Sequence, residues 1–347
     1  MTAPLFPNGT FGLYHGGPSG GPSRTILSSC CANENLPQQG WCMKVTVIGA
    51  AGSVGGPAAF YIGASGLAEE IVLLDVRENV AQQHAMDMST AFSALEVRVK
   101  AGSYEDMAGS DLIINAAGAP QGLIKDRMEM LPKNIPIIRD IARQVRHYAP
   151  NAFVITATNP VDPMNYALWK SGGFDRRQTV GYSLNDSLRF REMVAQLKGA
   201  RVRDIEATVI GEHGSTQVPL FSCVKIKGQP VEFTPQEKDW VKAEIPNILR
   251  RYEELQAGRT AGWTCAMGLA ALARAIRDDT GEVFPCSVVL QGEWGLSGLS
   301  MSVPVRLGRN GVKELLEWKI APDEQAALER TAAVLWSAAR RVDEELQ

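Results

Sequence analysis

From residue 44 onward, short apolar runs alternate with longer stretches in which apolar residues recur every three or four positions. KVTVIG (44–49), IVLLDV (71–76), DLIINAAG (111–118) and AFVITAT (152–158) are apolar through most of their length. Such a run predicts a strand covered on both faces, as in a parallel sheet. GPAAFYIGASG (56–66) reads as a helix directly after the first run, and helical stretches separate the others. Strands that alternate with helices need right-handed crossovers, and together they build a doubly wound sheet.

The second half is mixed. Strands are expected at IEATVIG (205–211), PLFSCVKI (219–226), FPCSVVLQG (284–292) and MSVPVRLG (301–308), with a charged amphipathic helix over 236–256. A closing helix runs from Pro322 to Gln347. Its stripe of Leu328, Ala332, Leu335, Ala339, Val342 and Leu346 has the spacing of core packing. The fold class is therefore α/β: a doubly wound parallel sheet over residues 43–184, then a mixed α+β domain over 185–347.

Residues 1–42 break the pattern. They are rich in Gly, Pro, Ser and Asn, with Arg24 and Glu34 as their only ordinary charged residues. The expectation is a disordered extension or an upstream start, with the functional chain beginning near Met43. No basic segment leads into an apolar one, so a secretory signal is not expected and the cytoplasm is.

Composition changes the picture little. At 347 residues, 45% apolar and 21% charged, the chain has room for two ordinary globular domains. A net charge of -3 gives no field of one sign, so nucleic acid is not an expected partner. No apolar run reaches the ~18 residues of a membrane span, so no membrane partner is expected either. The six cysteines, Cys30, Cys31, Cys42, Cys223, Cys265 and Cys286, form no CxxC and no zinc-type cluster with histidine. They read as free thiols in a reducing compartment, with no metal site.

Candidate chemistry begins where the first strand meets the first helix. Gly49-Ala50-Ala51-Gly52-Ser53-Val54-Gly55 places glycines at Gly49, Gly52 and Gly55. Glycine there allows a tight turn and a close approach of backbone to pyrophosphate, and the helix start behind it offers N–H donors and a positive dipole end. The strand–glycine loop–helix–strand order marks a Rossmann-type dinucleotide site. Asp75 closes the second strand. Its carboxylate can accept hydrogen bonds from ribose hydroxyls and repels a 2′-phosphate, so NAD is the expected cofactor. Arg77 leaves slight room for NADP, and a strand-end aspartate can also simply brace a turn.

His213 sits between glycines in IGEHGS (210–215), on a loop beyond an apolar strand, where catalytic groups tend to be placed. In NDSLRFR (185–191), Asp186 and Arg189 are three apart, on one face of a helix. That pair can be a surface ion pair. Alternatively, Arg189 can grip a substrate carboxylate through two parallel hydrogen bonds, and Asp186 can hold the imidazole tautomer and favour the imidazolium.

With these residues the chain resembles the lactate/malate dehydrogenase family from about Lys44 to its C-terminus. GAAGSVG (49–55), LLD (73–75), AAGAP (116–120), TNPVD (158–162), NDSLRFR (185–191) and GEHG (211–214) occur in the family's order. DTGEVFPCSV (279–288) and VPVRLGRNGV (303–312) lean toward the tetrameric, lactate-dehydrogenase-like malate dehydrogenases. The resemblance implies reversible hydride transfer between NAD and a small L-2-hydroxy acid, in a homodimer or homotetramer.

Residue roles follow from the resemblance. His213 takes and returns the hydroxyl proton, Asp186 pairs with it and Arg189 binds the C1 carboxylate. Arg127 stabilises charge on the carbonyl oxygen, and Asn159 lies near both the reacting oxygen and the nicotinamide ribose. Ser53, Val54, Gly118, Ala119 and Asn134 line the cofactor, and residues 120–131 form a lid. Gln121, six before Arg127, holds the position where malate dehydrogenases carry an arginine and lactate dehydrogenases a glutamine. This favours a monocarboxylic substrate, unless Lys125 supplies the missing charge. Some features depart from the family. NDS replaces the usual LDS, Ser215 replaces a common acidic residue, and GRTAGW (258–263) is one residue longer than its family counterpart, with Thr260 as the pocket threonine. A metal-dependent glycosidase on a related fold needs a cysteine in its metal motif, and TNPVD has none. A non-catalytic NAD-binding protein has no need of the His213, Asp186, Arg127 and Arg189 set.

Overall fold

Each of the four apolar runs divides its side chains between two layers of helices. This is visible in a computed structural model that describes residues 42–120, 127–255 and 260–347. In β1 (Lys44–Ile48), Val45 and Val47 join one buried cluster and Ile48 the other. In β2 (Glu70–Leu74), Ile71 and Leu73 face the first cluster while Val72 and Leu74 face the second. β4 (Leu112–Asn115) and β5 (Phe153–Thr156) alternate in the same way. Period-two alternation with both faces covered is why these strands read as unbroken apolar sequence.

One layer consists of α1 (Gly55–Ala64) and α7 (Gly262–Arg277), and the other of α3 (Leu131–Tyr148) and α4 (Val161–Gly172). α1 lies between sheet and α7. It therefore uses small residues such as Ala58 and Ala59, and a Cβ on its Gly63 would meet the Phe92 ring at 2.4 Å. α3 is one-sided, burying Ile135, Ile138, Ile141 and Val145 at helical spacing. Each fully buried aliphatic side chain of this kind contributes ~1.5–3 kcal/mol. α8 (Pro322–Leu346) presents the expected stripe. Leu328, Ala332 and Leu335 enter the first cluster, Ala339 and Val342 the second, and Leu346 is half-buried against it.

Among the described residues the main sheet has nine strands. In addition to those above these are β3 (Arg98–Ala101), β6 (Thr179–Tyr182), β7 (Val283–Gln291), β8 (Ser297–Gly308) and β9 (Gly311–Leu315). Their order is β9-β8-β7-β6-β5-β4-β1-β2-β3. β1 to β6 pair in parallel, and β7 joins β6 antiparallel through Cys286 with Tyr182 and Ser287 with Gly181. The sheet thus runs on across residues 184–185. The remaining helices are α2 (Glu78–Ala91), α5 (Leu184–Lys198) and α6 (Pro235–Glu254). No helix among the described residues is long and apolar enough to cross a membrane.

Two expected strands are corrected. IEATVIG is broken into Ile205–Glu206 and Val209–Ile210, which pair in separate small ladders. PLFSCVKI contains a 3-10 turn at Phe221–Cys223. Its buried positions, Leu220, Phe221 and Val224, follow the spacing of a turn rather than period two. The turn is held by Glu324, which accepts the Ser222 N–H at 3.0 Å and the Ser222 hydroxyl. β3 and β6 carried no apolar signal. β3 is an edge strand, RVKA, and β6 contains Gly181, whose Cβ would lie 2.6 Å from Val161 and 2.8 Å from Ser287.

Candidate active site

The glycine loop turns sharply at Gly49, where φ is +85°. The N–H groups of Gly49 and Ala50 both donate to the Leu74 carbonyl, at 2.8 and 3.0 Å. A Cβ at Gly49 would stand 2.6 Å from the Ala117 nitrogen, and one at Gly55 2.3 Å from the Gly49 oxygen. Both are backbone neighbours that cannot move aside. Gly52 donates back to Gly49 at 3.0 Å. α1 then starts at Gly55 behind Val54, with no side-chain cap and no acidic residue in its first turn. Its positive end is left to an anion or to water.

Asp75 grips this loop. Its Oδ2 accepts the Ala51 N–H at 2.9 Å, and its Oδ1 accepts the Arg77 N–H at 2.9 Å beside Arg77 Nε at 3.4 Å. The brace uses only part of the carboxylate's accepting capacity.

Two further loops meet at the ends of β4 and β5. Asn134 on α3 ties them together. Its Oδ1 accepts the Ala119 N–H at 2.8 Å, and its Nδ2 donates to the Asn159 carbonyl at 2.7 Å. A Cβ at Gly118 would press on the Thr158 methyl at 2.9 Å. Asn159 Oδ1 is buried with no hydrogen-bond partner among the described residues. A glycine cradle, an uncapped helix start, a strand-end carboxylate and an orphaned amide oxygen fit a dinucleotide.

The chemical group lies on α5 and the loop after Ile210. Asp186 and Arg189, one turn apart, pair at 3.2 Å through Oδ1 and Nη1. Asp186 Oδ2 holds His213 Nδ1 at 2.5 Å. All three residues are buried. One carboxylate therefore serves a guanidinium and an imidazole, each through its own oxygen. The Asp186 contact places the ring proton on Nδ1, so that Nε2 has the lone pair with which an imidazole can accept a proton.

The His213 loop is seated at three points. Gly211, at φ +90°, exchanges backbone hydrogen bonds with Ser302 at 2.8 and 3.0 Å. The His213 N–H donates to Asp162 Oδ2 at 2.7 Å. Glu212 accepts the Thr216 N–H at 3.0 Å and its hydroxyl at 2.5 Å. Burial pushes the Asp162 carboxyl up to about 7. Sequence reasoning quoted the TNPVD motif without singling out Asp162. The available signal was an aspartate opening a helix within that motif.

Asn185, where the family usually has leucine, also finds its reason here. Tyr182 donates its hydroxyl to Asn185 Oδ1 at 2.6 Å, and Asn185 Nδ2 donates to Cys265 Sγ at 3.1 Å. A Cβ at Gly268 would lie 1.9 Å from the Tyr182 oxygen, so glycine leaves that hydroxyl its space. Burial raises the Tyr182 phenol further. The described cysteines, Cys42, Cys223, Cys265 and Cys286, are free thiols.

The remaining expected residues are placed unevenly. Arg127 opens a 3-10 turn, Arg127–Met130, leading into α3. Gln121, Lys125 and half of the expected lid, residues 121–126, lie outside the described residues, as do residues 256–259. Thr260 is exposed and accepts the Gly262 N–H at 2.8 Å. A Cβ at Gly262 would lie 1.9 Å from the Ser53 oxygen, so the start of α7 abuts the cofactor loop. No group of three or more His, Cys, Asp or Glu that could hold a metal occurs among the described residues.

Residues 43–181 match the family model described as lactate/malate dehydrogenase, NAD binding domain, and residues 184–346 match its alpha/beta C-terminal domain. The malate dehydrogenase of Halobacterium salinarum is 36% identical over 297 residues, 84% of this chain and 97% of that protein. That of Haloarcula marismortui is 37% identical, covering 81% of this chain and 93% of its own. Among solved structures, the lactate dehydrogenase of Cryptosporidium parvum, complexed with lactic acid and nicotinamide adenine dinucleotide, superposes with a TM-score of 0.83 at 32% identity. It covers 87% of this chain and 98% of that one. The malate dehydrogenase of the same organism also gives 0.83, at 27% identity, covering 88% and 100%.

Proposed function

Because the chain belongs to the lactate/malate dehydrogenase family, we propose that it interconverts a monocarboxylic 2-keto acid and its L-2-hydroxy acid with His213 as acid/base. It is an NAD-dependent oxidoreductase acting on the CH–OH group of a 2-hydroxy acid. NAD, when bound, supplies or takes up the hydride. Residues 43–184 hold the cofactor and residues 185–347 supply the acid/base and the carboxylate anchor.

The observation that carries the mechanism is Asp186 bonded at once to His213 and Arg189. Asp186 fixes the ring so that Nε2 takes the hydroxyl proton in oxidation and returns it in reduction. Arg189 has five N–H donors and spends one on Asp186, leaving others for the C1 carboxylate. Arg127 offers positive charge to the carbonyl oxygen, and Asn159 turns its buried Oδ1 and amide toward cofactor and substrate. The pairing of these buried charges strengthens each contact as water is excluded.

Substrate choice rests on Gln121. A neutral amide cannot offset the desolvation of a second carboxylate, so oxaloacetate is disfavoured. NADH oxidation with pyruvate, larger monocarboxylic keto acids and oxaloacetate tests this, and kcat/KM for oxaloacetate is expected to be the lowest. Gln121→Arg is expected to raise the oxaloacetate-to-pyruvate ratio roughly a hundredfold, the ~3 kcal/mol of one charge-paired carboxylate. The specific support for a second reading is that relatives covering over four-fifths of the chain are named malate dehydrogenase. A native preference for oxaloacetate that Lys125→Ala abolishes establishes that reading, with Lys125 meeting the second carboxylate.

Asp75 sets the cofactor choice. NADH is expected to be used with kcat/KM at least about tenfold above NADPH, and Asp75→Ser is expected to narrow the gap by about that factor. An unchanged ratio in the variant would show that the carboxylate only braces Ala51 and Arg77. A homodimer or homotetramer is supported by Phe60 on α1 and Trp263 and Met267 on α7, all exposed on helices that pack together. The free thiols support a reducing cytoplasm.

A further inference from the structure

Asp162 takes no part in the chemistry above, yet the His213 loop rests on it. It stands in the first turn of α4, is 1% exposed, and accepts the His213 N–H on Oδ2 at 2.7 Å. Its Oδ1 is buried with no hydrogen-bond partner among the described residues. An ionised carboxylate so poorly solvated is costly to keep. The charged or titratable groups that face it are Glu212 and His213 from the loop and Asp186 from α5, and β7 contributes the polar neighbour Ser287. The cation of the group, Arg189, is bonded to Asp186.

The geometry points to Asp162 as a positioning residue for the reaction: it sets the seat of His213 by accepting its backbone N–H, and does so as a neutral carboxyl whose ionisation loads negative charge beneath the His213–Asp186 pair. This role presupposes His213 as the acid/base. Burial first, and then the repulsion of Glu212 and Asp186, keeps the proton on up to about pH 7. The Ser287 hydroxyl and the His213 N–H favour the anion, but their effect is smaller than the desolvation. Because the folded protein holds this proton more tightly than the unfolded chain, its stabilising contribution is complete below about pH 4 and is lost as pH rises through about 7.

Two substitutions separate the acceptor from the charge. Asp162→Asn keeps an amide oxygen for the His213 N–H and cannot ionise, whereas Asp162→Ala keeps neither. Asp162→Ala is expected to lower kcat by about tenfold or more, the effect of orphaning one buried N–H at the reacting group, with NADH affinity within about twofold of the unmodified enzyme. Asp162→Asn is expected to recover kcat to within about fivefold, and its kcat/KM–pH profile is expected to be displaced from that of the unmodified enzyme, because no charge can develop at position 162. Equal losses in both variants, or an Asn variant with the unmodified pH profile, would overturn the assignment.

If the Ala variant does not fold, the Asn variant decides through melting temperature against pH. The unmodified protein is expected to lose stability relative to it between about pH 4 and pH 7, and parallel curves overturn the assignment. His213→Asn measured alongside keeps the two readings apart. Retained turnover there removes the mechanism, while lost turnover there with no effect at position 162 removes only the role of Asp162.

Discussion

His213→Asn is expected to lower kcat for keto-acid reduction by roughly 10²–10⁴ while leaving NADH binding nearly unchanged. The asparagine amide can still donate toward Asp186, and the loop keeps its seats at Ser302 and Asp162, so the fold should tolerate the change. What is lost is the ring nitrogen that carries the proton. The cofactor cradle is built from Gly49, Gly52, Gly55 and Asp75 at the ends of β1 and β2, and is held by hydrogen bonds to Leu74 and within the loop itself. Steady-state turnover combined with NADH fluorescence titration checks both halves. Near-normal turnover means the proton travels by another group. Weakened NADH binding with a lowered melting temperature means the variant has unseated the loop instead.

Arg189→Gln is expected to cut kcat/KM for the keto acid by roughly 10²–10⁴, corresponding to two charge-assisted hydrogen bonds worth about 1.5–3 kcal/mol each. It is also expected to destabilise the fold. Asp186 is 3% exposed and would lose the counter-charge of Arg189, and breaking a buried pair from one side costs about 3–5 kcal/mol. Arg189→Lys separates the two effects. A lysine restores the charge near Asp186, and with it most of the melting temperature. It cannot form the planar fork, so much of the loss in kcat/KM should remain. A lysine variant that recovers both would mean that Arg189 is a structural counter-ion and that another group binds the carboxylate.

Sequence alone revealed those parts of the fold whose burial is periodic. Val45, Ile71, Leu112 and Phe153 lie in strands covered on both faces, and such strands announce themselves. β3 and β6 do not. One is a polar edge, and the other contains Gly181 because Val161 and Ser287 leave no room for a side chain. At the site, Asp186 and Arg189 were legible because helical spacing makes them neighbours. The pairing of Asp186 with His213, 27 residues away, was also expected, whereas Asp162, 51 residues away and joined to the loop only by tertiary packing, was not. The same holds for Asn134. Its expected place at the cofactor came from resemblance, and its bracing of Ala119 and Asn159 depends on how α3 lies across two loops.

The contact between Gly262 and Ser53 couples two parts of the molecule that lie far apart in the chain. With no side chain at Gly262, the first turn of α7 docks against the cofactor loop. The helix is anchored there, whatever stands before it. One glycine thus ties the position of α7 to the shape of the cofactor loop, and neither can be displaced without disturbing the other.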